Sequence, residues 1–362
     1  VTTFNLEYWE NLQPYGLPDS QKSVQLLAAL NHLVEWHSQN CVEYNRILRV
    51  VDNSTRPYQT IEEVPFIPVR LFKELDLVSV NREDIYKTMH SSGTTGQKTS
   101  KIALDRETAR LQTRVLSEIM KATLGHRRLP MLVIDSADTI SNRNAFSARA
   151  AGIRGFMMFG SDLTFALDQK MMPDWDVISA FVDRHMGERA LIFGFTFMIW
   201  QHLLSELARL DKTINFGDSI LLHGGGWKQL NRIAVSNDSF KRTAKDFLGI
   251  DRVVNYYGMV EQTGSLFMEC EYGYLHAPGF SDIVVRDPFT LEPVPIGGSG
   301  LIQLLSMTPI SYPGHSILTE DVGTYHGIDD CRCGRLGRYF TVEGRIAKAE
   351  PRGCSDTYES IS

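Results

Sequence analysis

Residues 90–101 read HSSGTTGQKTSK, and the spacing of the two glycines decides how the chain is read. A Walker-type loop sets four residues between its glycines and follows them with Lys-Ser/Thr, because that length wraps a β-phosphate. Here only Thr94 and Thr95 separate Gly93 from Gly96, and Lys98-Thr99 follow. That spacing excludes the Walker reading. What is left is a run of hydroxyls (Ser91, Ser92, Thr94, Thr95, Thr99), two glycines that let backbone N–H groups converge, and the ammonium groups of Lys98 and Lys101. Charge-assisted bonds to oxyanions are the strong ones, so this donor set suits a polyphosphate. A polar surface turn is the other reading of the same residues. The proline-punctuated "IEEVPFIPVRLF" and "VNREDIYKTMH" precede the loop and the helical "LDRETARLQTRVLSEIMKATLG" follows it, which predicts a loop between a short strand and a helix.

Working outward, 362 residues with 43% hydrophobic content can bury a large core. The formal net charge is −6 with both signs interleaved, so the basic stripe that nucleic acid requires is missing. No stretch approaches the roughly 20 apolar residues of a membrane span, and the amino terminus has no basic region leading into an apolar run. A cytoplasmic protein is expected. Five cysteines, an odd number, fit a reducing compartment better than a disulfide framework.

Residues 21–50 carry apolar residues at helical spacing, which puts Cys41 in or near the core of a helix. "LPMLVIDS", "GFMMFG", "RALIFGFTF" and "DSILLHGGG" read as short buried strands, with long helical patterns after the last three. This alternation predicts an α/β fold with mostly parallel sheets covered by helices. After about residue 265 the texture shifts to shorter strands and turns, "GYLHAPGFSDIVVRD", "GGSGLIQLLSM" and "ILTEDVGTYHG". The expected organisation is an α/β core over 1–265, a smaller β-rich subdomain over 266–345, and a flexible tail over 346–362.

Further segments follow the loop in a fixed order: "LHGGGWK", "NYYGMVEQTG", "LTEDVG" and "VEGRIAK". With HSSGTTG at their head, they resemble the signatures of the acyl-adenylate-forming superfamily. The resemblance implies that superfamily's large-domain fold and an ATP site. Ser91, Ser92, Gly93, Thr94, Thr95 and Gly96 would cradle phosphate, and Gly224, Gly225 and Gly226 would border adenine and substrate. Tyr257, beside Gly258, would lie on adenine, Glu261 would hold Mg²⁺, Asp321 would meet the ribose, and Arg345 would meet ribose or phosphate. Val260 stands where the family usually has Thr or Ser. The implied chemistry is attack of a carboxylate on the α-phosphate of ATP, with Mg²⁺ and the loop offsetting charge on pyrophosphate. His90 and His223 abut these motifs as a base or as turn residues. "IFGFTFMIW", with Phe195, is rich in the residues of an acyl pocket and equally in those of an ordinary core.

Superfamily members carry a carboxy-terminal domain after the hinge arginine, whereas seventeen residues follow Arg345 here, so that domain is expected to be missing. Its catalytic lysine then has no counterpart, which leaves Lys98 and Lys101 as the nearest basic candidates. The tail "AKAEPRGCSDTYESIS" carries Cys354, nine residues beyond Arg345 and within about 30 Å of it when extended. SSGTTG, YGMVEQ, HGGGWK and an RGCSD-like tail together resemble the acyl-protein synthetase subunits of bacterial luminescence fatty-acid reductase complexes, a family related to phenylacetate-CoA ligases. That resemblance implies adenylation of a long-chain fatty acid, transfer to Cys354 as a thioester, and delivery to a reductase subunit that makes aldehyde, with an acyltransferase subunit as a further partner. An acyl- or aryl-CoA ligase and a weakly catalytic nucleotide-binding subunit are the alternatives.

"ECEYGYLHAPG" and "DDCRCGR" supply Cys270, His276, Cys331 and Cys333, a common structural zinc set, although the C-x-C pair is tighter than usual. The other reading is buried free thiols and a solvent histidine.

Overall fold

In the chain's computed structural model, residues 13–52, 55–91, 99–141, 148–226 and 235–346 are described. Its framework is a 12-stranded sheet. One side of that sheet is parallel: β4 (Leu129–Ser136), β5 (Gly160–Leu167), β6 (Leu191–Phe195), β7 (Ile220–Gly224) and β8 (Arg252–Tyr257), in the order β5-β4-β6-β7-β8. β4, β6 and β7 are continuous apolar runs because both faces are covered. One face meets α1 (Asp19–Asn40), α2 (Val42–Val51), α3 (Arg106–Leu124) and α4 (Ala148–Phe156). The other meets α5 (Trp175–Arg184), the helical run Thr196–Leu210 and α6 (Asn237–Leu248). Local chemistry sets the helix ends. Asp105 accepts from the Thr108 amide at 2.8 Å to cap α3, which ends at Gly125 (φ +89°).

The remaining strands are β9 (Phe267–Glu269), β10 (Leu275–His276), β11 (Ser281–Arg286), β12 (Ser299–Ser306), β13 (Ser316–Ile328) and β14 (Arg338–Arg345), all antiparallel to their neighbours in this path. Pairing turns from parallel to antiparallel between β8 and β9, at the change of texture near residue 265. The sheet itself runs on without a break. β1 (Ile67–Pro68) adds to β13. The α/β fold class expected from the sequence is the one observed.

Three local expectations differ. The glycine loop does not run from a strand straight into a helix: β2 (Lys87–His90) and β3 (Lys101–Leu104), the strands on either side of it, pair antiparallel. The return strand, KIAL, is too short to show a period. Cys41 is buried, but it is extended (φ −127°) and separates α1 from α2 instead of lying within one helix. "GFMMFG" finishes α4 and adds a 3-10 turn, Met157–Phe159, before β5 begins at Gly160.

Candidate active site

The base of the hairpin is locked by one hydroxyl. Ser91 Oγ accepts from the Ser100 amide at 2.8 Å, and the Ser91 amide donates to the Ser100 carbonyl at 3.2 Å. Lys101, opposite His90, is exposed. Ser92, Gly93, Thr94, Thr95, Gly96 and Lys98 lie outside the described residues.

Ser100 is fully buried beside Glu261, which sits in the 3-10 turn Val260–Gln262 after β8. Burial raises the Glu261 carboxyl above the usual range, and the Ser100 hydroxyl offsets part of that. Among the described residues Glu261 forms no ion pair, and Lys73 and Arg345 act on its carboxyl only through space. The turn is fixed from outside. Tyr312 Oη donates to the Glu261 carbonyl at 2.9 Å, and Gln262 Nε2 donates to the carbonyls of Leu304 (3.0 Å) and Gly314 (2.8 Å). A Cβ on Gly314 would stand 2.8 Å from that same Glu261 carbonyl, so only glycine lets the strap approach.

Asp321 on β13 gathers the other predicted residues. Tyr257 Oη donates to Asp321 Oδ2 at 2.6 Å, and Arg345 Nε donates to Oδ1 at 3.1 Å. Burial, and then the carboxylate, hold the Tyr257 phenol well above its usual range, which keeps it a donor. Its ring rests against Phe267 and Phe340, each with centroids 6.2 Å away.

The glycine turn begins at the end of β7, and a Cβ on Gly224 would stand 2.6 Å from the Tyr256 ring. Gly225 has φ +79°, and a Cβ there would come within 3.1 Å of Phe195. Gly226 is the last described residue of the turn, and a Cβ on Gly258 would stand 2.5 Å from Leu266 Cδ2. Beneath the turn, Phe156 lies 4.5 Å from Phe193 and 4.9 Å from Tyr256 between ring centroids, an apolar wall. His223 faces the opposite core, with Nδ1 2.9 Å from Thr196 Oγ1 and its ring 4.3 Å from Phe240. Burial, then Lys241, push its pKa down to about 3, so the imidazole is neutral and a weak base.

Cys270, His276, Cys331 and Cys333 come together at the edge of the antiparallel half, with their ligand atoms all within 4.8 Å of one another. Cys270 Sγ and Cys331 Sγ are 3.9 Å apart, and Cys333 Sγ lies 3.3 Å from His276 Nε2. Tetrahedral zinc with Zn–S bonds of 2.3 Å sets sulfurs about 3.8 Å apart, so the donors fit that ion and are far from a disulfide.

Sequence reasoning missed Tyr312, Gln262 and Gln112. Gln112 Nε2 donates to Tyr312 Oη at 3.2 Å from 200 positions away, a separation with no local signature. Cys354 lies outside the described residues.

Among solved structures, 2-hydroxyisobutyryl-CoA ligase in an open conformation with 2-HIB-AMP and CoA superposes with a TM-score of 0.70 at 17% identity, over 94% of this chain and 81% of that one. Its postadenylation form superposes at 0.69 and 17%, over 93% and 73%. The fold is therefore that of adenylate-forming ligases. Two curated relatives are each named long-chain-fatty-acid–luciferin-component ligase. The Aliivibrio fischeri protein is 26% identical over 269 residues, 73% of this chain and 70% of its own length. The Vibrio harveyi protein is 21% identical over 303 residues, 82% and 78%. The sequence model of the family described as "Acyl-protein synthetase, LuxE" matches residues 11–361. With nearly its whole length matched, the chain belongs to the LuxE family of acyl-protein synthetases.

Proposed function

We propose that this enzyme activates a long-chain fatty acid with ATP to an acyl-adenylate and transfers the acyl group to its own Cys354 as a thioester. Pyrophosphate leaves in the first step and AMP in the second, and a reductase subunit then takes the acyl group and reduces it to aldehyde with a hydride from its own nicotinamide cofactor. The observation that carries the reading is the convergence of Tyr257 and Arg345 on both oxygens of Asp321, residues drawn from three strands. A carboxylate held this way is ready to accept from the two hydroxyls of a ribose. Glu261 would hold Mg²⁺, supplying charge stabilisation for leaving pyrophosphate, and the glycine loop with Lys98 and Lys101 would supply the remaining donors. A structural zinc on Cys270, His276, Cys331 and Cys333 would staple β9 and β10 to the loop before β14, apart from the reaction.

The test is self-acylation. Labelled fatty acid with ATP is expected to leave a hydroxylamine-sensitive label on the chain that Cys354→Ser abolishes while ATP–pyrophosphate exchange persists. Label remaining on that variant overturns the acceptor assignment, and release of labelled acyl-CoA on adding coenzyme A, without self-labelling, favours a CoA ligase.

A further inference from the structure

β1 and the short helix after it, Leu71–Glu74, form a corner beside the Glu261 turn. The corner is tied on three sides. β1 lies parallel to β13 with Pro68 opposite Leu318, and the Val69 amide donates to the Leu318 carbonyl at 2.9 Å, just ahead of Asp321 on the same strand. The Phe72 ring stands edge-on to Tyr312 with centroids 6.2 Å apart, and Tyr312 is the residue whose hydroxyl donates to the Glu261 carbonyl. The helix also packs against β3, which begins beside Ser100. Lys73 follows Phe72 and is half-buried. The charges along the chain around it are accounted for: Glu74 is exposed and has an interaction of its own, Asp76 pairs with Arg82, and Arg70 is exposed. Among the described residues no carboxylate pairs with the Lys73 ammonium. Burial is what raises the Glu261 carboxyl; against it act the Ser100 hydroxyl, the backbone of the turn and then, through space, Lys73 and Arg345. One cation thus acts on that carboxyl from the β1 side and another from β14.

We propose that Lys73 is a catalytic residue of the adenylation step, its ammonium binding the pyrophosphate that departs beside Glu261. The inference rests on the acyl-adenylate reading of the site. In that step a carboxylate oxygen of the fatty acid bonds to the α-phosphorus, the bond from phosphorus to the bridging oxygen breaks, and the electron pair leaves on pyrophosphate. The ammonium donates hydrogen bonds to the growing charge and keeps its proton, so no acid–base partner is needed. A lysine whose duty is structural closes on a carboxylate, and one without a duty covers its stem and extends its head into water. Lys73 does neither: its helix is pinned to the strand of Asp321, to the residue that holds Glu261 and to β3, yet it makes no ion pair with the carboxyl on which its charge acts. That leaves a fixed cation with its hydrogen-bond donors unspent, next to a carboxyl that also pairs with nothing. Lys101 is exposed and Lys98 lies outside the described residues, so Lys73 is the cation whose approach to Glu261 the packing itself sets.

The test uses the full-length enzyme with Lys73→Met, which keeps the stem and removes the charge, and with Lys73→Arg, which keeps the charge. Three quantities are measured for each: the kcat and KM of ATP–pyrophosphate exchange, the urea denaturation midpoint, and the labelling of the chain by a synthetic acyl-adenylate of the same fatty acid, a reaction without pyrophosphate. Lys73→Met is expected to lower the exchange kcat by about a hundredfold and to raise the KM for pyrophosphate, with Lys73→Arg recovering about a tenth or more of the wild-type rate. The denaturation midpoint should be unchanged, and labelling by the supplied adenylate should stay within about twofold of wild type. Exchange by Lys73→Met within about threefold of wild type overturns the proposal. So does an equal loss in exchange and in labelling, or a shifted midpoint with no recovery by arginine, since each marks a structural role. Wild type that exchanges but takes no label from the adenylate refutes the Cys354 assignment alone, and the exchange and denaturation results still decide on Lys73. Wild type that does not exchange refutes the adenylation reading, and the role of Lys73 with it.

Discussion

Replacing Tyr257 with Phe deletes one oxygen and leaves the ring in its place. The lost donor is the 2.6 Å partner of Asp321 Oδ2, and Asp321 is only 9% exposed. A buried acceptor stripped of its partner costs about 1–3 kcal/mol, and the remaining exposure argues for the lower half of that range. Tyr257→Phe is therefore expected to lower unfolding free energy by about 1–2 kcal/mol in urea denaturation. If Asp321 meets the ribose as proposed, a loosened carboxylate holds it less well, and the KM for ATP in pyrophosphate exchange should rise about tenfold, equivalent to 1.4 kcal/mol. Arg345→Ala provides the contrast. Its side chain is 76% exposed, so its 3.1 Å contact to the same carboxylate contributes at most about 1 kcal/mol, and stability should barely move. Yet if Arg345 meets the nucleotide, its KM for ATP should rise as much as that of the tyrosine variant. The reasoning fails if Tyr257→Phe changes neither quantity, or if Arg345→Ala is the more destabilising of the two.

Lys101→Ala should slow pyrophosphate exchange by about tenfold or more without changing the denaturation midpoint, because the side chain is exposed; an unchanged rate removes it from the site. Purified protein should hold one zinc per chain by elemental analysis, and Cys331→Ser should reduce that occupancy and the melting temperature together; full occupancy in the variant refutes the ligand assignment. Gly224→Ala should cost about 1–3 kcal/mol, since its methyl would stand 2.6 Å from the Tyr256 ring, and a neutral substitution would show that the ring moves freely. His37, His223 and His315 are all held neutral by burial, His223 and His315 with pKa values of about 3. The unfolded chain protonates them near 6.5, so stability present above that pH is lost as pH falls, by up to about 4 kcal/mol per unit for three protons. Glu261, whose carboxyl is raised in the fold, works in the opposite sense near the carboxylate range and takes back up to one of those protons. Denaturation midpoints that stay level between pH 7 and pH 5.5 would contradict this.

The parallel side was legible because buried strands such as LPMLVIDS open on an apolar run, Leu129 to Ile134, and the later strands because turns punctuate them. The hairpin was not, since four residues of return strand are too few to distinguish from a helix approach. Cys41 was read as helical because the apolar period continues through it, although the backbone breaks there to bury both Cys41 and Tyr44. At the site, Tyr257, Glu261 and Asp321 were named from their motifs. What holds them was invisible: Tyr312 and Gln112 act across the sheet, and only the closed fold brings them near. The cysteine cluster sat between these cases, with its donors plain in the sequence and its convergence dependent on the pairing of His276 with Tyr339.

Tyr256 and Tyr257 are neighbours in β8, yet their side chains belong to different cores, one against Phe156 and the other beside Asp321. Their partners across the strand, Met268 and Phe267, alternate in step. A single inserted or deleted residue in this strand would exchange the two rings between compartments, stripping the carboxylate of its donor and the apolar wall of its ring in one stroke. Substitutions can therefore tune either compartment separately, but the length of β8 is fixed. Sequence change that reshapes this enzyme is expected to spare the spacing from Arg252 to Tyr257 and to accumulate in the loops on either side.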